Sequence, residues 1–153
     1  MSKVNPIPAH LHTITAQLTM DGASDAMAFY AKAFGAEELS RAPDPSGKKL
    51  WHAEMRIGTS VFFLNDAFPE MGGAANKTRL WLATAEIDAL FKRATEAGAT
   101  TKMPPMDMFW GDRVATVVDP WGNEWSLTQR IKEMTHEEMR KAGEEFAKSM
   151  KQH

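Results

Sequence analysis

The feature that most constrains this chain is that it repeats itself once. Asp25-Ala26-Met27 recurs as Asp88-Ala89-Leu90, and Gly35-Ala36 recurs as Gly98-Ala99, each 63 residues on. Both segments read as amphipathic helices. The first carries apolar residues at Ala26, Met27, Phe29, Tyr30, Ala33 and Phe34, the second at Ile87, Leu90, Phe91, Ala94 and Ala97, both with 3.6-residue periodicity. Each helix runs into a glycine, Gly35 or Gly98, where a left-handed residue is needed to end it. Ser24 is read as the N-cap of the first. The same offset carries Val61-Phe62-Phe63-Leu64 onto Glu124-Trp125-Ser126-Leu127, each behind a glycine turn. Ahead of each helix lies an alternating stretch, Thr13 to Met20 and Arg79 to Leu82, the pattern of a half-buried strand. Each half therefore reads strand, helix, then two or three strands. A unit present twice is not a solenoid. The expectation is an α+β fold of two βαβββ modules, 11–68 and 78–130, within one domain spanning 1–153. The helices cover one sheet face and leave the other around a cavity.

Composition narrows the functional classes. At 153 residues, 43% hydrophobic and 25% charged, the chain can bury an ordinary core. A net charge of −2 gives no electrostatic case for nucleic acid or an anionic membrane. With no cysteine, thiolate metal sites and disulfides are impossible. No apolar run approaches the ~20 residues of a membrane span, and Met1 to Pro8 lacks the order of a signal peptide. The expected compartment is the cytoplasm. After Arg130 the character changes. Thr135-His136-Glu137-Glu138 is a capping box, flanked by Met134 and Met139 as a hydrophobic staple. It predicts a C-terminal helix over 134–151, with an apolar stripe of Met139, Phe146 and Met150.

Several motifs resemble a known family. Asp21-Gly22-Ala23-Ser24-Asp25-Ala26-Met27-Ala28-Phe29-Tyr30, followed by Phe34-Gly35-Ala36-Glu37-Glu38, is similar to the first helix of vicinal oxygen chelate proteins. This is the glyoxalase/bleomycin resistance/dioxygenase superfamily. His52-Ala53-Glu54-Met55-Arg56-Ile57-Gly58, Phe109-Trp110-Gly111-Asp112-Arg113 and Asp119-Pro120-Trp121-Gly122-Asn123-Glu124-Trp125-Ser126-Leu127 resemble its PhnB-like branch. The resemblance covers roughly residues 11 to 130. It implies paired βαβββ modules, often a homodimer, and a cavity at the concave sheet. Members include isomerases, dioxygenases and proteins that only sequester drugs. The family's metal ligands come from four strand positions, which match Thr15, Phe63, Arg79 and Ser126 here. Phenylalanine cannot bind a metal, and arginine only donates hydrogen bonds, so the resemblance predicts no inherited metal site and no cofactor. The alternative is a divalent transition metal held by a relocated set, His52, Glu54 and Glu124.

Strand parity selects candidate residues without the family. A two-residue turn at Gly58-Thr59 sets Glu54 opposite Phe63 and Arg56 opposite Val61. His52, Glu54, Arg56, Val61 and Phe63 then share one face, while the wholly apolar Ala53, Met55, Ile57, Phe62 and Leu64 share the other. The mixed face is expected to line the cavity. By the same parity it includes Thr15, Gln17, Arg79, Trp81, Glu124 and Ser126. His52, Glu54 and Glu124 are the candidate acid–base residues, with His52 and Glu54 as a base and its orienting partner. Thr15, Gln17, Phe63, Arg79, Trp81, Trp110, Arg113 and Ser126 are the candidate ligand contacts. Trp81 and Trp110 would stack on a planar ligand or pack in the core, and Arg113 would hold a carboxylate or phosphate or form an ordinary ion pair with Asp112 or Asp107. His10 and His12, ahead of the first strand, read as surface or strand-end residues rather than ligands. The expected function is metal-free binding of a small polar or aromatic molecule. The alternative is an isomerase, lyase or dioxygenase.

Overall fold

The computed structural model describes residues 3–152. It divides between Thr78 and Arg79 into two compact units. The first contains β1 (Ala16–Met20), α1 (Ala23–Phe34), β2 (Glu37–Pro43), β3 (Leu50–Ile57) and β4 (Ser60–Asp66). The second contains β5 (Arg79–Ala83), α2 (Ile87–Ala97), β6 (Thr100–Asp107), β7 (Asp112–Val118) and β8 (Glu124–Arg130), followed by α3 (His136–Met150). Each unit is thus βαβββ, and the terminal helix is present as expected. The strand orders are β1-β4-β3-β2 and β5-β8-β7-β6. In each, the first strand runs parallel to the last and the remaining pairs are antiparallel. A parallel pair needs a crossover, and the helix supplies it.

The helix-side faces hold the cores. Ala26, Met27, Phe29, Tyr30, Ala33 and Phe34 of α1 are all buried. They meet Leu18, Met20, Ala53, Met55, Phe62 and Leu64, also buried. Tyr30 is fully buried and meets Phe62 edge-on, with ring centroids 5.8 Å apart. α2 is shallower, with only Ile87 and Ala94 buried; Leu90, Phe91 and Ala97 stay half-buried. Beneath it lie Trp125, Leu127, Val117 and Ala115.

The glycine stops occur where the sequence places them. Gly35 adopts φ 69°, and its N–H donates to Ala31 O. The start of α1 differs from expectation. Gly22, not Ser24, is the cap residue, with φ 96° and no side chain to offer. Asp66 at the end of β4 takes over the task. Its Oδ1 accepts from the Gly22 N–H at 2.8 Å and the Ala23 N–H at 3.1 Å, and its Oδ2 accepts from the Leu50 N–H at 2.7 Å. A buried carboxylate is the stronger acceptor for a helix N-terminus, and the Ser24 hydroxyl instead accepts from Arg41. In the second unit Gln129 does the equivalent work, its Oε1 accepting from the Ile87 N–H at 2.9 Å.

α3 begins with the expected capping box, Thr135 with Glu138. Phe146 packs on Phe109 with centroids 5.0 Å apart. The Gly111 carbonyl accepts from the Ile131 and Lys132 N–H groups. No described helix is long and apolar enough to cross a membrane.

Candidate functional site

In the first unit the open sheet face is set by the Gly58-Thr59 turn. Glu54 pairs with Phe63 and Arg56 with Val61, as that turn length requires. On the other side of β4, Gln17 pairs with Phe63. A row of Gln17, Phe63 and Glu54 therefore crosses the sheet. Beside it, Gln17 Nε2 and Thr19 Oγ1 both donate to Asn65 Oδ1, at 2.9 and 2.7 Å. His52 Nε2 lies 3.2 Å from Glu54 Oε1, and the His52 ring meets Phe63 edge-on at 4.7 Å. The other oxygen, Oε2, is 2.8 Å from His10 Nε2. Glu54 is thus held by an imidazole on each side, with its side chain 17% exposed. Burial pushes its carboxyl up, but the hydrogen bonds from His52 and His10 outweigh that and leave it below the usual carboxylate range. His10 is the residue that strand parity missed. It lies outside any strand, and its contact spans 44 residues of sequence.

In the second unit the open face carries Arg79, Trp81, Glu124 and Ser126. Arg79 pairs with Glu124 across the strands, and Trp81 with Ser126. Glu124 accepts from Lys102 and from Arg79, the latter at 2.9 Å. These bonds hold its carboxyl below the usual range, so both oxygens are engaged by cations. Ser126 shares a hydrogen bond with Thr116 at 3.1 Å. Trp81 is 58% exposed, unusual for an indole on a sheet face.

Two candidates lie elsewhere. Thr116 pairs with Ser126, so Arg113, three positions earlier, has the opposite parity. Its guanidinium binds Asp88 of α2 at 3.0 Å and Asp107 of β6 at 2.9 Å. That places Arg113 on the helix side, away from the face that carries Trp81. Trp110 sits in the β6–β7 turn, where its Nε1–H donates to Asp112 Oδ2 at 3.0 Å. Asp112 also accepts from Arg130. Ala83, Thr84, Asp112, Thr128 and Arg130 line a cleft of about 550 Å³, in which the buried Thr128 Oγ1 has no hydrogen-bond partner among the described residues. No sequence motif marked that cleft.

The sequence profile of the Glyoxalase/Bleomycin resistance protein/Dioxygenase superfamily matches residues 10–127. The chain belongs to that superfamily. It is 40% identical over 138 residues to the uncharacterized protein Rv0887c of Mycobacterium tuberculosis (strain ATCC 25618 / H37Rv), covering 84% of this chain and 81% of the relative. Its fold is similar to that of TioX from Micromonospora sp. ML1, with a TM-score of 0.66 at 24% identity over 77% of this chain and 98% of that one. It is also similar to a Bacillus cereus PhnB protein described as a putative 3-demethylubiquinone-9 3-methyltransferase. There the TM-score is 0.61 at 18% identity, over 77% and 99% of the two chains. At such identities the likeness concerns the fold alone.

Superfamily membership raises the question of a metal, and the donor chemistry at the four matching positions answers poorly. Phe63 has no donor atom, and Arg79 is a permanent cation bonded to Glu124. Thr15 and Ser126 offer only hydroxyls. Divalent transition metals want imidazole or carboxylate ligands, so these residues do not fit one. Among the described residues, no group of three or more His, Asp or Glu side chains is arranged to hold a metal ion.

Proposed function

We propose that this chain is a PhnB-like member of the superfamily that binds a small polar or aromatic molecule on its open sheet faces without a metal. The observation that carries the reading is the contrast between faces. The helix side holds the buried apolar core, whereas the open side presents Gln17, Phe63, His52 and Glu54 in one unit and Trp81, Arg79 and Ser126 in the other. An exposed indole beside hydrogen-bonding side chains suits a planar ligand with polar substituents. Two measurements test this. Elemental analysis of protein purified without chelator is expected to find less than one transition metal per chain. Tryptophan fluorescence is expected to quench on binding small aromatic acids and phenols, and to quench less in Trp81→Phe. One stoichiometric metal per chain, or no difference between the two proteins, would overturn the reading.

A second reading is favoured by one contact. Glu54 accepts from His52, the pairing of a general base with its orienting carboxylate, which supports an isomerase or lyase acting by proton transfer. For the assembly we propose a two-fold homodimer. Phe146 is 48% exposed and Met150 64% on α3, and closed two-fold pairing is the common way to cover such surface. Light scattering giving a mass near the 17.0 kDa of one chain would refute the dimer.

A further inference from the structure

His10, which the sequence marks as a surface or strand-end residue, is exposed, and its ring reaches Glu54. Its backbone belongs to a turn in which the Leu11 N–H donates to Pro8 O at 3.1 Å. This turn brings the imidazole onto the open face of the first sheet. One carboxylate then faces two imidazoles, and each ring uses the same atom, Nε2, toward a different oxygen. An ionised carboxylate only accepts hydrogen bonds. Each Nε2 must therefore carry a hydrogen, and the proton-accepting lone pair of each ring is on Nδ1.

The surroundings are simple. Towards β1 and β4 the face offers the neutral Gln17, Thr19, Phe63 and Asn65. Towards β2 and β3 the charged residues near Glu54 are Arg56 and Glu37, bonded to each other at 2.8 Å. Arg41 pairs with Ala53 in the strand register and so lies on the helix side. Among the described residues, no lysine or arginine is bonded to Glu54, and its charge is available to balance one that arises on an imidazole. Both imidazoles are nearly half exposed, at 45% and 43%, so a ligand can approach them. Phe63, edge-on to His52, supplies apolar surface beside the base.

We propose that His10, Glu54 and His52 form a proton-accepting site for a small molecule with an apolar body and a weakly acidic hydroxyl, in which His52 is the base and His10 is a positioning residue. The step is a single proton transfer. The ligand O–H bond breaks, its electron pair stays on oxygen, and the proton passes to His52 Nδ1. The resulting imidazolium donates through Nε2 to Glu54 Oε1. His10 holds Oε2 and so keeps Oε1 turned toward His52. This rests on the acid–base reading of the site and adds to it the residue that fixes the carboxylate.

The test uses 4-nitrophenol, whose phenolate absorbs at longer wavelength than the phenol, and 4-nitroanisole, which has no acidic hydrogen. The full chain, at a pH below the midpoint of the free phenol, is expected to increase the phenolate band on binding. 4-Nitroanisole is expected to bind at least tenfold more weakly. His52→Gln should abolish the band. His10→Ala should still unfold in one cooperative urea transition but move the appearance of the band to higher pH, and His10→Gln, whose amide can donate to the same oxygen, should restore part of the shift. If His52→Gln abolishes the band and His10→Ala leaves its pH profile unchanged, the role of His10 is refuted while the acid–base reading stands. If 4-nitrophenol binds without any phenolate band, or its band survives His52→Gln, the acid–base reading itself fails. If it does not bind, or binds no better than 4-nitroanisole, the proposed ligand class is wrong.

Discussion

The two halves of this molecule share a strand order yet differ in how they are held. In the first, α1 buries seven residues and centres on an aromatic cluster of Phe29, Tyr30, Phe34 and Phe62. Its N-terminus rests on a buried carboxylate that serves three backbone N–H groups. In the second, α2 buries two residues, and one neutral amide serves one N–H. That half carries instead an appended helix, fixed through Phe109 and Gly111. The open faces diverge as well, with two imidazoles on a carboxylate in one and two cations on a carboxylate in the other. Duplication preserves the backbone path because hydrogen-bonded register and helix periodicity depend on pattern. Energetics and chemistry depend on particular side chains, and those have separated.

The largest test of this contrast is in the cores. Tyr30→Ala removes a fully buried ring and is expected to cost about 3–5 kcal/mol. Leu90→Ala, at a half-buried position of α2, should cost about 1 kcal/mol. Urea denaturation measures both, and equal costs would break the comparison. Next come the helix starts. Asp66→Ala leaves three backbone donors without their acceptor and should cost about 3 kcal/mol, against about 1 kcal/mol for Gln129→Ala. Thr135→Ala removes the α3 cap and should cost about 1 kcal/mol. Hydrogen exchange at the amides of α3 is expected to accelerate while those of α1 are unchanged.

The smallest expected effect concerns acid. The Glu54 carboxyl is depressed in the folded chain by His52 and His10, against the opposing effect of burial. Its stabilising contribution is therefore complete above its unfolded value and is lost as pH falls through the folded one. The stability difference between the parent and Glu54→Gln should shrink as pH falls from about 5 to about 3. A difference that stays constant over that window would show that the imidazoles do not hold the carboxylate.

Much of the backbone was legible because it follows short-range rules. The two-residue turn at Gly58-Thr59 set the β3–β4 register, the glycines ended the helices, and Thr135 with Glu138 announced α3. What was not legible depends on distance. The Asp66 carboxylate reaches α1 across more than 40 positions, and no local pattern distinguishes it from any other strand-end aspartate. Ser24 looked like the cap because caps are ordinarily local. His10 escaped for the same reason. Arg113 is a different case: of its two readings, ligand contact or ordinary ion pair, the structure shows the ion pair with Asp107 and adds Asp88. Parity counted from Thr116 would have turned it toward Asp88, where it is found.

The parallel pairing of first and last strands has a consequence for synthesis on the ribosome. β1 emerges first but has no partner until β4 has been made, and the Asp66 acceptor for α1 arrives with that same strand. The β2–β3 ladder can pair early, but β1 and the start of α1 must wait. Once Asp66 clears the exit tunnel, however, the whole first half can close at once, while β5 is still inside the tunnel and the later strands are not yet exposed. The second half then repeats the wait, from Arg79 until Glu124. Each half is one uninterrupted stretch of chain, so the order of translation separates two closures that would otherwise compete for similar strands.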